Sequence, residues 1–188
     1  ASISTASTAA RTNFAHSIWF YVDDWNYNYG VYKPLIARTT LSADPPDILP
    51  GLPMSNACPL VVLGATDNTL DIFQSIFETG GQTSASTVAV GTEKYNRCTL
   101  TNLPIQKWCH LVVSFYGRTC DVYLDGKLVK TCVMDGPPKV DKTADVYISP
   151  GVQQGKGSFK GWTSDFQYFG DSLNPQQVFD IYKKGFGG

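Results

Sequence analysis

Residues 107–134 run KWCHLVVSFYGRTCDVYLDGKLVKTCVM. His110–Tyr116 and Thr119–Leu124 are two runs rich in β-branched and aromatic residues, separated by the turn pair Gly117-Arg118. Asp125-Gly126 turns the chain again into Leu128–Val133, since Asp-Gly tolerates the positive φ angles of a tight hairpin. Three strands joined by two tight turns make an antiparallel meander.

The same pattern extends outward. Upstream, Ser17–Val22 is a dense aromatic and β-branched strand that runs into the loop DDWNYNYG, residues 23–30. Val31–Ala37 is a second strand, in which Pro34 predicts an edge or a bulge. Residues 42–59 carry two proline clusters and no periodicity, which predicts a long surface loop. Leu60–Leu63 and Thr69–Phe77 flank an Asp67-Asn68 turn, 80–86 is a Gly/Ser/Thr loop, and 97–103 is a short strand. Downstream, Pro137-Pro138 ends the meander, and Val146–Ser149 and Phe159–Phe169 supply the last strands. Leu173-Asn174-Pro175 is a helix start, with Val178, Ile181 and Tyr182 on one face. Many short strands, closely spaced turns and one short C-terminal helix predict an all-β antiparallel sandwich. Residues 1–13 form a polar N-terminal arm, and 14–188 form one domain.

Composition narrows the function. Charged residues are 16% of the chain, against about 25% in ordinary soluble domains. The 15 basic and 16 acidic residues form no cluster beyond Lys183-Lys184, which argues against nucleic acid as a partner. No apolar run approaches the roughly 20 residues of a membrane-spanning helix. The chain opens on Ala1 in a small polar stretch, and is expected to be trimmed from a precursor whose upstream segment could anchor it to a membrane. Five cysteines without a CxxC pair, and two histidines, offer little to zinc. Disulfides with one cysteine left over are expected, the alternative being five buried thiols. No cofactor is implied.

The ordered strings SIWFYV, WCHLVVSF, VYLDGKLV, FKGWTSDFQYF and LNPQQVFDIY resemble the concanavalin A-like, laminin G-like superfamily, whose members are jelly-roll β-sandwiches. DWNYNYG, LPIQKW and GRTCDVYLDGKLVKTC resemble more narrowly the concanavalin A-like proteins of large DNA viruses of algae. That resemblance implies a virion-associated structural protein, such as a minor capsid protein, with other capsid or particle proteins as partners. It also implies a Cys98–Cys132 disulfide. The runner-up pairing is Cys120–Cys132 across the Asp125-Gly126 hairpin, which a three-residue turn would bring into opposition and a two-residue turn would miss by one. Cys58, in the proline-rich loop, is expected to be unpaired.

Catalysis finds little support. Retaining glycosidases on this fold need paired carboxylates on one strand face, yet the only glutamates are Glu78 and Glu93, neither in such a pattern. Asp23 and Asp24 are adjacent and point to opposite faces of a strand. His110 lacks a nucleophile context and is expected to pack at its strand's start, hydrogen-bonded to backbone. The chain therefore reads as a non-enzyme. Asp67, Asn68 and Asp71 are the tightest candidate calcium ligands, and Asp121, Asp125, Asp141 and Asp145 are scattered over hairpin ends; turn chemistry accounts for them without a metal. Asp24, Trp25, Asn26, Tyr27 and Tyr29 combine a stacking aromatic with hydroxyl-binding groups. They are the candidate ligand-binding residues for the rival function, a lectin-like module for glycans outside the cell or on its surface.

Overall fold

The computed structural model describes residues 12–39, 57–77, 93–141, 143–151 and 158–187, together with four short strands at 2–3, 47–49, 52–53 and 87–90. In chain order the strands are β1 (Ser2–Ile3), β2 (Phe14–Asp24), β3 (Lys33–Thr39), β4 (Asp47–Leu49), β5 (Leu52–Pro53), β6 (Leu60–Leu63) and β7 (Leu70–Ser75). They continue as β8 (Thr87–Val90), β9 (Glu93–Leu100), β10 (Trp108–Tyr116), β11 (Thr119–Leu124), β12 (Lys127–Val133), β13 (Asp145–Ile148) and β14 (Lys160–Phe169), before helix α1 (Pro175–Lys184). Seven strands form one sheet in the order β1-β13-β3-β6-β7-β9-β8, and five form the other in the order β12-β11-β10-β2-β14. All pairings are antiparallel, as in the meander that the sequence predicts.

Side-chain alternation builds the core. Ile18, Phe20 and Val22 of β2 and Leu111, Val113 and Phe115 of β10 point inward, against Ile36, Val61 and Ile72 of the larger sheet. Each such side chain contributes roughly 1.5–3 kcal/mol by leaving water. His16 shares this inner face and is fully buried, with neither ring nitrogen hydrogen-bonded. Its ring lies 5.2 Å from that of Tyr168, and the Arg38 guanidinium lies 5.5 Å from the same ring. Burial, helped by the charge of Arg38, pushes the His16 imidazole down to about 3.

Several expectations need correction. Of the two expectations at Pro34 the bulge is found, between Pro34 and Ile36, and the edge is not, since β3 is an interior strand of its sheet. The expected loop at 42–59 holds the β4–β5 pair, and its described end is buried: the Ala57 carbonyl accepts from Ser75 N, and Cys58 N donates to Arg38 O. The proline clusters obscured those backbone pairings. β9 begins at Glu93, four residues before the expected strand, because β8 pairs with its first half. Residues 2–3 of the expected arm pair with Val146 and Tyr147.

The cysteines form one bridge, Cys98–Cys132, with Cα atoms 6.0 Å apart; Cys58, Cys109 and Cys120 are buried thiols. A second bridge fails because the remaining three do not face one another. Cys58 precedes β6, Cys109 opposes Phe20, and Cys120 opposes Phe115. The Asp125-Gly126 turn has two residues, yet Cys120 and Cys132 are opposed all the same, because a bulge opposite Val122/Tyr123 adds the missing residue.

Candidate ligand-binding face

The outer face of the five-stranded sheet is aromatic. Alternation along β2 and β10 turns Trp19, Tyr21, Trp108 and His110 outward, opposite the core residues Phe20 and Leu111. Register then lines up Trp162, Tyr21 and Trp108 as direct cross-strand neighbours over β14, β2 and β10. Tyr21 meets Trp162 edge-on at 5.3 Å and Trp108 edge-on at 5.9 Å between ring centroids. Trp108 stacks flat on Phe186, at 4.5 Å and 9°.

Helix α1 decides how much of this face is open. Asn174 caps it: its side chain accepts from Gln177 N, and the Gln177 side chain accepts from Asn174 N, with Pro175 at the first turn. Val178 packs on Val112 and Tyr123, while Tyr182 stacks on Trp19 at 5.5 Å. The close approach favours a glycine at the hairpin turn, where Gly126 has a φ of +76 and a Cβ would meet the Tyr182 ring at 3.0 Å. Under the helix, His110 Nε2 and Ser17 Oγ share a 2.9 Å hydrogen bond, so the histidine is held by a side chain and not by backbone as expected. Burial pushes its imidazole down to about 4. The dyad is sealed: His110 and Ser17 are both fully buried, which removes them as a nucleophile and base for an outside substrate.

Beyond the helix the row emerges. Trp162 is 58% exposed, and Phe186 is also exposed. Ion pairs flank the row, Lys160–Asp23 at 3.2 Å and Lys107–Asp125 at 3.0 Å. The open end thus combines ring faces with both donors and acceptors.

The loop singled out from sequence divides. Trp25 is 9% exposed and plugs the end of the sandwich, 5.8 Å from the Nζ of Lys33, so it offers no stacking face. Lys33 is buried there with its ammonium on the carbonyls of Val31, Gly64 and Ala65, and burial lowers its pKa. Asp24 accepts from Asn26 N at 2.9 Å, which shapes the turn, while Asn26, Tyr27 and Tyr29 are exposed. Asp24 is the register partner of Lys160, which places this loop at the same strand ends as the aromatic row. Sequence reasoning missed Trp162, Trp108, Tyr21 and Phe186. The alternation of Trp162 and Ser164 was visible, but their alignment with β2 depends on long-range register.

The candidate calcium ligands are separated. Asp71 is buried on a bidentate pair with Arg97, at 2.9 and 2.7 Å, and also accepts from Thr99, whereas Asp67 is exposed in the turn. Among the described residues no three His, Cys, Asp or Glu side chains converge on a metal-sized site.

Two antiparallel sheets, a sealed core and an open aromatic face define a lectin-type β-sandwich. A model of the concanavalin A-like lectin/glucanases superfamily matches residues 53–179, more than half of the chain, and the protein belongs to that superfamily. Its members of the lectin-like kind are interaction domains and typically non-catalytic. No curated protein sequence matches. Among solved structures, the chain is similar to the receptor binding domain of botulinum neurotoxin D, with 12% identity and TM-score 0.63 over 96% of this chain and 39% of that one. It is similar also to the receptor binding domain of the C/D mosaic neurotoxin, with 12% identity and TM-score 0.61 over 92% of this chain and 36% of that one. A third is the binding domain of botulinum neurotoxin DC solved with rat synaptotagmin II, with 12% identity and TM-score 0.59 over 92% and 35%. The chain therefore spans less than two fifths of these neighbours, and the likeness is one of fold.

Proposed function

We propose that this domain is a non-catalytic recognition module that binds a carbohydrate on the open end of its five-stranded sheet. The carrying observation is the cross-strand row Trp162–Tyr21–Trp108, which ends in an exposed tryptophan at the sheet edge and has a Lys–Asp pair at each end, Lys160–Asp23 and Lys107–Asp125. The C–H groups of a pyranose ring are slightly positive and stack on the negative face of an indole. The flanking ammonium and carboxylate groups offer donors and acceptors for its hydroxyls. Exposed apolar surface rimmed by polar groups is the usual sign of an interaction site. The test is a glycan array followed by calorimetry on the best hit: the native protein binds, and Trp162→Ala does not. No binding across the array, or equal binding by the variant, overturns the assignment.

The setting is a separate proposal, a virus particle, and the sequence resemblance alone supports it. Exposed aromatics such as Trp162 and Phe186 also suit a protein interface. A particle structure in which a neighbouring capsid protein covers Trp162 would replace the glycan with that protein as the occupant of this face.

A further inference from the structure

Three cysteines line one cavity of about 480 Å³ where β9 faces β12: the bridged Cys98 and Cys132, and the thiol Cys120. Cys120 and Cys132 are direct register partners across β11 and β12. Directly opposed antiparallel residues have Cα atoms about 4.5 or 5.5 Å apart. Both values lie within the roughly 4.4–6.8 Å that a disulfide spans. Cys98 lies 6.0 Å from Cys132 by the same measure. Cys132 is thus within bonding reach of two partners, one in the opposite sheet and one in its own hairpin.

We propose that this cavity is a thiol-exchange site, at which a small thiol of the glutathione class moves Cys132 from Cys98 to Cys120. The entering thiolate attacks Cys132 Sγ, the Cys98–Cys132 bond breaks, and Cys98 leaves as a thiolate that takes up a proton. Cys120 then loses its proton to solvent and attacks Cys132 Sγ, and the mixed disulfide breaks to return the small thiolate. One protein disulfide is consumed and one is formed, with no net oxidation. Cys132 is partly exposed, and Lys130 on the same cavity wall places a positive charge where a thiolate approaches. Burial holds the Cys120 thiol protonated, so the native bridge persists until a thiol arrives. The consequence is mechanical. Cys98–Cys132 ties the two sheets together across 34 residues, whereas Cys120–Cys132 closes only a hairpin and leaves the sheets unpinned at this edge.

The native protein is incubated with mixed reduced and oxidised glutathione in mildly alkaline buffer, alkylated, digested with trypsin and mapped by mass spectrometry. Cleavage after Arg97, Lys107, Arg118, Lys127, Lys130 and Lys139 puts the three cysteines on separate peptides, 98–107, 119–127 and 131–139. The expected result is a 119–127 to 131–139 crosslink that grows as alkylated Cys98 appears. Retention of the 98–107 to 131–139 link alone, or full reduction without the new crosslink, overturns the proposal. In Cys120→Ala, which keeps the native bridge, Cys98 is released only together with a glutathione adduct on Cys132. An equal adduct level in the native protein would deny Cys120 its resolving role.

Discussion

Trp162 of β14 lies edge-on against Tyr21 of β2, their ring centroids 5.3 Å apart, because the two are direct cross-strand partners. Gly161, one residue earlier, allows the strands this approach, since a Cβ there would sit 1.9 Å from the Tyr21 carbonyl oxygen. Trp25, by contrast, is only four residues beyond Tyr21 and turns inward. Two tryptophans at the same end of the molecule therefore have opposite tasks.

Alanine substitution separates them. Trp25→Ala empties a buried site and is expected to cost about 3–5 kcal/mol of stability. Trp162→Ala removes a mostly exposed ring and is expected to cost under about 1 kcal/mol. On binding the order reverses, with Trp162→Ala losing about 2 kcal/mol or more of affinity. Urea denaturation and calorimetry on both variants check the inversion.

Acid should destabilise the domain through its histidines. His16 and His110 have folded-state values near 3 and 4, below the ordinary 6.5 of an unfolded chain. The unfolded state therefore binds more protons below pH 6.5 or so, and the stability present above that value is lost as pH falls toward 4 and then 3. Within that window each histidine contributes a slope of roughly 1.4 kcal/mol per pH unit. Urea midpoints measured from pH 7 to 4 should fall accordingly, and His16→Leu should flatten the slope. A midpoint independent of pH would contradict the burial of both rings.

The ion pair under the larger sheet predicts an asymmetry. Asp71 has a side chain 1% exposed, whereas that of Arg97 is 38% exposed. Arg97→Ala strands a buried carboxylate and is expected to cost about 3–5 kcal/mol. Asp71→Ala leaves a guanidinium that water can reach and is expected to cost less. Equilibrium denaturation of the two variants decides the order. Because Arg97 and Thr99 already occupy the Asp71 carboxylate, calcium and a chelator should leave the melting temperature of the native protein unchanged.

The helix that covers His110 depends on its first turn. Asn174→Ala removes the cap and is expected to cost about 1 kcal/mol. Hydrogen exchange should quicken over Pro175–Lys184 before it does so in β10, because the helix rests on the sheet and the sheet does not rest on the helix.

What the sequence determined by itself was local. The alternation of Ser17–Val22, the Asp125-Gly126 turn with φ values of +52 and +76, and the Asn174-Pro175 cap each depend on neighbours a few residues away, and each is found in place. The antiparallel sandwich followed, because strands joined by such turns have few other ways to bury one face. The bridge between Cys98 and Cys132 came from resemblance to a family and not from spacing, since the bulge that opposes Cys120 to Cys132 leaves no mark in the hairpin turn. The tertiary structure alone decided which aromatics face water. Trp25 and Trp162 look equally available as letters, but exposure is set by register, bulges and the helix laid across the sheet, all of which are contacts between residues distant in the chain.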